Sequence, residues 1–270
     1  MNNLLWRDVI SSIEETTPLY DEVNEIISFR RAGKARAYAA QRLMENNPKL
    51  VLDSGVGPGS MSMILLQQHP YADIVALDYS SQLLGRFKER TRDYRDRLHF
   101  IRACFEELPF RPNSFDAAVT AYALRDSTNL EQAIGEYAGS IKSEGRLAIV
   151  ELGKPDNLVK RFFATIYVRF IAPLVAKILI SGRLEGNPWR MIVPTYQNLP
   201  TTGRLLEMLE AKFDLLERKT FLAGGVLVIL LRPAVQKNAC LMILSTHVSL
   251  WFQMRGSTRQ GSSSCLCGDC

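Results

Sequence analysis

The sequence predicts an α/β fold, a mostly parallel sheet with helices on both faces. Two observations carry this. Short apolar runs alternate with helical stretches from residue 49 to residue 151, and that alternation folds into parallel strands joined by crossover helices. The first apolar run, Lys49 to Asp53, leads into Gly55, Gly57 and Gly59 and then a helical stretch. A chain of 270 residues suits one large domain, or one domain with additions. With 47% hydrophobic and 23% charged residues it has enough apolar material for a core.

Leu4 to Glu15 reads as a short helix, interrupted by Pro18. A second helix runs from Tyr20 to about Phe29, with Val23, Ile26 and Ile27 on one face. Arg30, Arg31, Lys34, Arg36 and Arg42 follow without an acid among them. That run is either a solvated helix face or a surface for anionic lipid. Strand one is Lys49 to Asp53, and helix Ser60 to His69 follows the glycines. Strand two is Asp73 to Asp78, a helix spans Ser81 to about Tyr94, and strand three is Leu98 to Cys104. Asp116 to Ala121 is a buried strand. Thr128-Asn129-Leu130-Glu131 reads as a capping box that opens a helix with a buried stripe from Leu130 to Ile141. Gly145 is expected to end that helix and Arg146 to Glu151 to form strand five.

Beyond Pro155 the pattern changes. Leu158 to Ser181 is strongly apolar but carries Lys160, Arg161, Arg169, Lys177 and Pro173, which argues against a membrane-spanning helix. It reads as a helix lying in a lipid interface or covering an apolar pocket, or as a core helix with snorkelling stems. Leu205 to Ala211 is a further helix. Phe213 to Phe221 and Val226 to Leu231, separated by Gly224-Gly225, close the domain as a hairpin.

The net charge of +5 favours anionic partners weakly. No base-stacking aromatic motif accompanies the basic residues, so nucleic acid is not expected. The N-terminus lacks the pattern of a signal peptide. Five cysteines, four of them beyond residue 239, suggest a reducing, cytoplasmic setting. Cys265, Cys267 and Cys270, with His247 or Cys240, could hold a soft metal, but paired CxxC knuckles are absent, so no metal is expected.

The glycine turn can be read against three ligands. Its G-x-G-x-G spacing differs from the dinucleotide G-x-G-x-x-G, and no Gly-Lys-Ser/Thr of a phosphate loop follows. Asp53 at the strand end would repel a pyrophosphate but suits a cation. S-adenosylmethionine (SAM) carries a sulfonium and an ammonium group. Asp78, ending strand two, can accept both hydroxyls of a ribose.

Several stretches resemble the ubiquinone/menaquinone-biosynthesis C-methyltransferase family (UbiE type), a group of class I SAM-dependent methyltransferases. These are Tyr20-Asp21-Glu22-Val23-Asn24 with Ile27-Ser28-Phe29, Leu108-Pro109-Phe110 with Asn113-Ser114-Phe115-Asp116, Ala121 to Asp126, and Ile141-Lys142 with Gly145-Arg146-Leu147 through Glu151 to Lys154-Pro155. The resemblance covers about residues 18 to 232. It implies a Rossmann-like, seven-stranded, mostly parallel sheet with an antiparallel last strand. It also implies methylation at a ring carbon of a polyprenylated quinol, on or near a membrane. The expected organisation is a helical cap (1–46), a methyltransferase domain (47–234) with a substrate- and membrane-facing insertion (158–200), and a tail (235–270). The expected cofactor residues are Asp53, Gly55, Gly57, Gly59, Asp78, Tyr79, Cys104, Phe105 and Tyr20. Three departures stand out. The family's His-Arg-x-Trp-Lys run reads Ala32-Gly33-Lys34-Ala35-Arg36, its Pro-Gly-Gly reads Ser143-Glu144-Gly145, and the acid or amide that bonds the adenine amino group is Cys104. A main-chain group or Glu106 is the alternative partner for that amino group.

Carbon methylation needs an ionised ring hydroxyl. That hydroxyl titrates near 10, so a base or a stabilising cation is required. The loop after strand four offers Tyr122, Arg125 and Asp126: Arg125 to stabilise the quinolate, Tyr122 to pack against or bond the ring, and Asp126 or a water to accept the proton. The expected partners are a polyprenyl quinol and an anionic membrane surface, with a homodimer left open. Competing readings keep the fold but change the acceptor to another lipid or small molecule, or make the chain an inactive SAM-fold subunit.

Overall fold

A computed structural model describes residues 3–17, 19–184 and 186–234. Three helices come first, α1 (Asn3–Thr16), α2 (Tyr20–Ile27) and α3 (Arg31–Met44). The alternating part is β1 (Leu50–Ser54), α4 (Ser60–Gln68), β2 (Asp73–Asp78), α5 (Ser81–Arg90), β3 (Leu98–Arg102), β4 (Phe115–Ala121), α6 (Leu130–Ser140) and β5 (Ile141–Leu152). Then come α7 (Leu158–Ile166), α8 (Ala172–Leu179), α9 (Ile192–Asn198), α10 (Thr202–Glu210), β6 (Phe213–Phe221) and β7 (Val226–Pro233). The seven strands form one sheet in the order β3-β2-β1-β4-β5-β7-β6. β1 to β5 pair in parallel, and β7 runs antiparallel to both β5 and β6. This is the expected class I methyltransferase arrangement.

Adjacent strand residues point to opposite faces, so a sheet covered on both sides needs continuous apolar strands. Val51, Ala76, Val119 and Val150 pack toward Leu43 of α3 and Leu65 of α4. Their neighbours Leu52, Leu77, Ala118 and Ile149 pack toward Tyr137 of α6 and Leu209 of α10. A separate cluster joins Leu19, Val23 and Ile27 to Ala172, Ala176, Ile180 and Trp189, which ties α2 to α8.

The structure corrects four sequence expectations. α2 stops at Ile27, because Phe29 and Arg30 adopt left-handed φ of 50° and 59°. The capping box does not form. Asn129 is the N-cap and accepts from the Gln132 N–H at 3.1 Å, while Thr128 donates its N–H and hydroxyl to Glu106. Gly145 does not end α6, which stops at Ser140. It lies in the bulged start of β5, where pairing jumps from Phe115–Ile141 to Ala117–Arg146. A Cβ there would stand 2.7 Å from the Asp116 carbonyl oxygen, which explains the glycine. Finally, α9 forms where the sequence suggested no element, with Pro194 in its first turn.

α7 and α8 are joined by a π-helical turn, Tyr167–Ile171, giving one helical stretch from Leu158 to Leu179. Pro173 sits at the start of α8, directly after that turn. The stretch has 22 residues, and its most apolar 18-residue window has a mean hydropathy of 1.7, long and apolar enough by composition to cross a membrane. Cys240, His247, Cys265, Cys267 and Cys270 lie outside the described residues, as does Pro18.

Candidate active site

The chain runs outward through β1, β2 and β3, then returns to place β4 on the other side of β1. Between β1 and β4 the sheet therefore has a switch point, and ligands bind beyond the strand ends there. Asp53 and Ser54 end β1, Asp78 ends β2, Tyr122 follows β4 and Glu151 lies near the end of β5.

The three glycines after β1 have φ of +72°, +53° and +93°. Each is required for a different reason. A Cβ at Gly55 would meet the Ala123 Cβ at 2.4 Å, and one at Gly59 would meet the Phe87 ring at 2.1 Å. At Gly57 nothing lies within 4 Å. Gly57 lines the cleft, so a side chain there would project into ligand space rather than into protein.

Asp53 is 1% exposed. Its Oδ2 accepts from the Ser62 hydroxyl at 2.6 Å, whereas its Oδ1 is buried with no partner. Burial pushes its pKa up to about 6, against the lowering effects of Ser62 and the Arg36 charge. An orphaned carboxylate oxygen at the mouth of a glycine turn fits a cationic ligand group, and SAM brings two. Asp78 accepts from the Gly57 N–H at 2.8 Å and the Ser80 N–H at 2.9 Å. A carboxylate has about four acceptor sites, so capacity for ribose hydroxyls remains.

The same cleft is lined by Tyr20, Tyr79, Cys104, Phe105 and Glu106, so every expected cofactor residue but Gly59 lies on its wall. Burial raises the Cys104 thiol pKa, with help from Glu106 and Glu107, so it stays neutral. Glu106 uses one carboxylate oxygen to hold the next loop: its Oε1 accepts from the Ser127 hydroxyl and twice from Thr128. The cleft also meets α1 through Trp6, Val9, Ile10 and Ile13. Trp6 stacks edge-on against Tyr79 with centroids 4.4 Å apart, and Glu14 accepts from the Ser80 hydroxyl. Behind α1 the remaining cavity is only about 80 Å³.

A second, larger cavity of about 750 Å³ lies between α2, the α7–α8 stretch and the start of β7. Its lining is mostly apolar and includes Ile27, Val168, Ile171, Ala172 and Ile192. It shares Tyr20, Arg36 and Tyr122 with the cofactor cleft. Tyr122 has a strained left-handed φ of 60°, and its buried hydroxyl has no partner. Burial holds that hydroxyl's pKa above its ordinary value.

Arg125 lines the large cavity, but it is already paired. Its guanidinium donates to Glu151 at 2.9 Å and its backbone N–H donates to the same carboxylate at 3.1 Å. Asn198 of α9 anchors this loop by donating to the Arg125 and Ser127 carbonyls. Asp126 faces the cofactor cleft, with Oδ1 3.8 Å from the Arg125 Nε. Burial pushes Asp126 up to about 7, partly offset by Arg125. The structure thus gathers Tyr122, Arg125 and Asp126 at the junction of the two cavities.

Three residues were not singled out as site residues from sequence. Glu151 was visible only as part of a motif. Trp6 gave no signal. Arg36 was counted among a basic run, yet it is 5% exposed and lines both cavities.

The profile of the ubiE/COQ5 methyltransferase family matches residues 3–231. The demethylmenaquinone methyltransferase of Thermotoga maritima is 31% identical over 193 residues, covering 71% of this chain and 81% of that one. The ubiquinone/menaquinone biosynthesis C-methyltransferase UbiE of Syntrophotalea carbinolica is 25% identical over 223 residues, covering 83% and 92%. Among solved structures, the [4+2]-cyclase SpnF superposes with a TM-score of 0.61 at 16% identity, covering 82% of this chain and 93% of that one, which shows the fold.

Proposed function

The chain belongs to the ubiE/COQ5 methyltransferase family and is a SAM-dependent C-methyltransferase acting on a polyprenylated quinone-type substrate, and we propose that its acceptor is a demethylmenaquinol, taken from a membrane on which the α7–α8 stretch rests. One observation carries this reading: the cofactor cleft shares Tyr20, Arg36 and Tyr122 with an adjoining apolar cavity whose lining includes the exposed residues Phe29, Phe163 and Ile171. A molecule with a polar ring and a long apolar tail matches that path.

The outer face of α7–α8 supports the membrane contact. Leu158, Phe162, Phe170, Leu174 and Ile178 are each more than half exposed, beside Lys160, Arg169 and Lys177. Apolar side chains beside basic ones suit an anionic lipid interface. The names of the two curated relatives support the quinone head group.

Bound SAM supplies an electrophilic methyl group. The protein's task is to ionise and orient the ring. Tyr122 sits where a ring hydroxyl would enter, with an unpaired hydroxyl of its own to bond it. Arg125, held by Glu151, offers a fixed positive field to a developing oxyanion. Asp126, poised near neutrality, accepts the proton directly or through water. The apolar walls exclude water and keep the ring aligned.

The test is incubation with methyl-labelled SAM and a panel of reduced acceptors in vesicles. Demethylmenaquinol should become labelled on a ring carbon. Label entering only a benzoquinol, or a non-quinone lipid, would overturn the acceptor assignment.

A further inference from the structure

We infer that Arg36 binds the carboxylate at the amino-acid end of the cofactor, as the cation opposite Asp53. Arg36 is 5% exposed on α3. Among the described residues no hydrogen bond or ion pair engages its guanidinium; its contact is the Tyr122 ring, 4.9 Å away. A buried charge without a partner is costly, and such groups pair or bind ligand.

The surroundings specify the ligand group. The cleft is lined by four acids, Asp53, Asp78, Glu106 and Asp126, and among the described residues Arg36 is its only basic side chain. Arg36 lies near enough to Asp53 for its charge to lower that carboxyl's pKa. SAM ends in a zwitterion, with ammonium and carboxylate on one carbon. A site that takes the ammonium on Asp53 needs a cation within a bond or two, and an arginine fork matches a carboxylate in geometry. The other anion that could arise here is the acceptor oxygen, but the acceptor cavity already has Arg125 and Lys160 on its wall. The cofactor cleft has only Arg36.

This inference depends on SAM as cofactor and not on which acceptor is used. Its test is titration calorimetry of the full chain with SAM and with decarboxylated SAM, which keeps the ammonium and sulfonium but lacks the carboxylate. In the unchanged protein SAM should bind at least about tenfold tighter than its decarboxylated form, the range of a charge-assisted bond. Arg36→Ala should weaken SAM by about tenfold or more and leave decarboxylated SAM within about twofold, closing the gap. Arg36→Lys should restore part of it. Arg36→Gln, run in parallel, keeps the stem in place should the alanine variant not fold. Equal weakening of both ligands would mean Arg36 only shapes the cleft. Unchanged SAM affinity with lowered turnover would mean it serves the acceptor. Either result overturns the proposal. A wrong acceptor assignment would leave the calorimetry unaffected.

Discussion

Glu151 is fully buried, and it takes both the guanidinium and the backbone N–H of Arg125, 26 residues earlier in the chain. The carboxylate ending one strand therefore fixes the loop that follows its neighbour. Breaking such a pair leaves an uncompensated buried charge, which costs about 3–5 kcal/mol. Glu151→Ala and Arg125→Met should each lower urea stability by that order, whereas the double variant should lose less than the sum. Arg125→Lys should keep SAM binding and lower turnover. Unchanged turnover in that variant would remove Arg125 from the chemistry.

Asp53 sets a pH dependence for cofactor binding. Burial raises its pKa to about 6, and only the ionised form attracts an ammonium. SAM affinity measured by calorimetry should therefore fall about tenfold per unit below pH 6 and level off above it. In Asp53→Asn the affinity should be low and flat across the same range.

Asp126 gives a second profile with a worked sign. Its pKa rises from 3.8 unfolded to about 7 folded, so the folded state binds the proton more tightly. Its contribution to stability is present below pH 3.8 and is lost as pH rises through 7. As a base it must be ionised, so kcat should climb through the same region in which this part of the stability declines. Asp126→Asn should flatten both curves.

Gly57 and Gly59 separate ligand space from protein space. Gly59→Ala drives a Cβ into the Phe87 ring and should destabilise the fold strongly in a thermal melt. Gly57→Ala meets no neighbour within 4 Å and should cost only the strain of its left-handed backbone, about 1–2 kcal/mol. Its SAM affinity should nonetheless drop at least tenfold, about the cost of one clashing or lost contact. Normal SAM binding by Gly57→Ala would put the cofactor elsewhere.

The membrane contact can be removed without touching the cavity wall. Phe162 and Phe170 are exposed and do not line it. Changing both to Asp should weaken sedimentation with anionic vesicles by about tenfold per residue, from the apolar transfer lost. Turnover of a short-tailed, soluble quinol should be retained.

The parts of this site that were legible in the sequence are local. Asp53 with three glycines, and Asp78 at the end of the next strand, form patterns a few residues long, and the alternation of strand and helix gave the sheet. What was hidden depends on which way a helix faces. Arg36 stands in a run of basic residues that reads as a solvated surface, and only the packing of α3 against the sheet turns it inward. The Thr128 box failed for a similar reason, since a distant carboxylate, Glu106, claimed the donor. No short-range pattern reports a partner 22 residues away.

Among the described residues the two cavities share only Tyr20, Arg36 and Tyr122; α1 lines one of them, and the exposed Phe29 and Phe163 line the other. A water-borne cofactor entering past α1 and a lipid-borne acceptor entering past Phe29 and Phe163 would use separate doors. Neither has to leave for the other to exchange, so steady-state kinetics should show no obligatory order of addition. A spent cofactor could be replaced while the lipid stays at its own entrance.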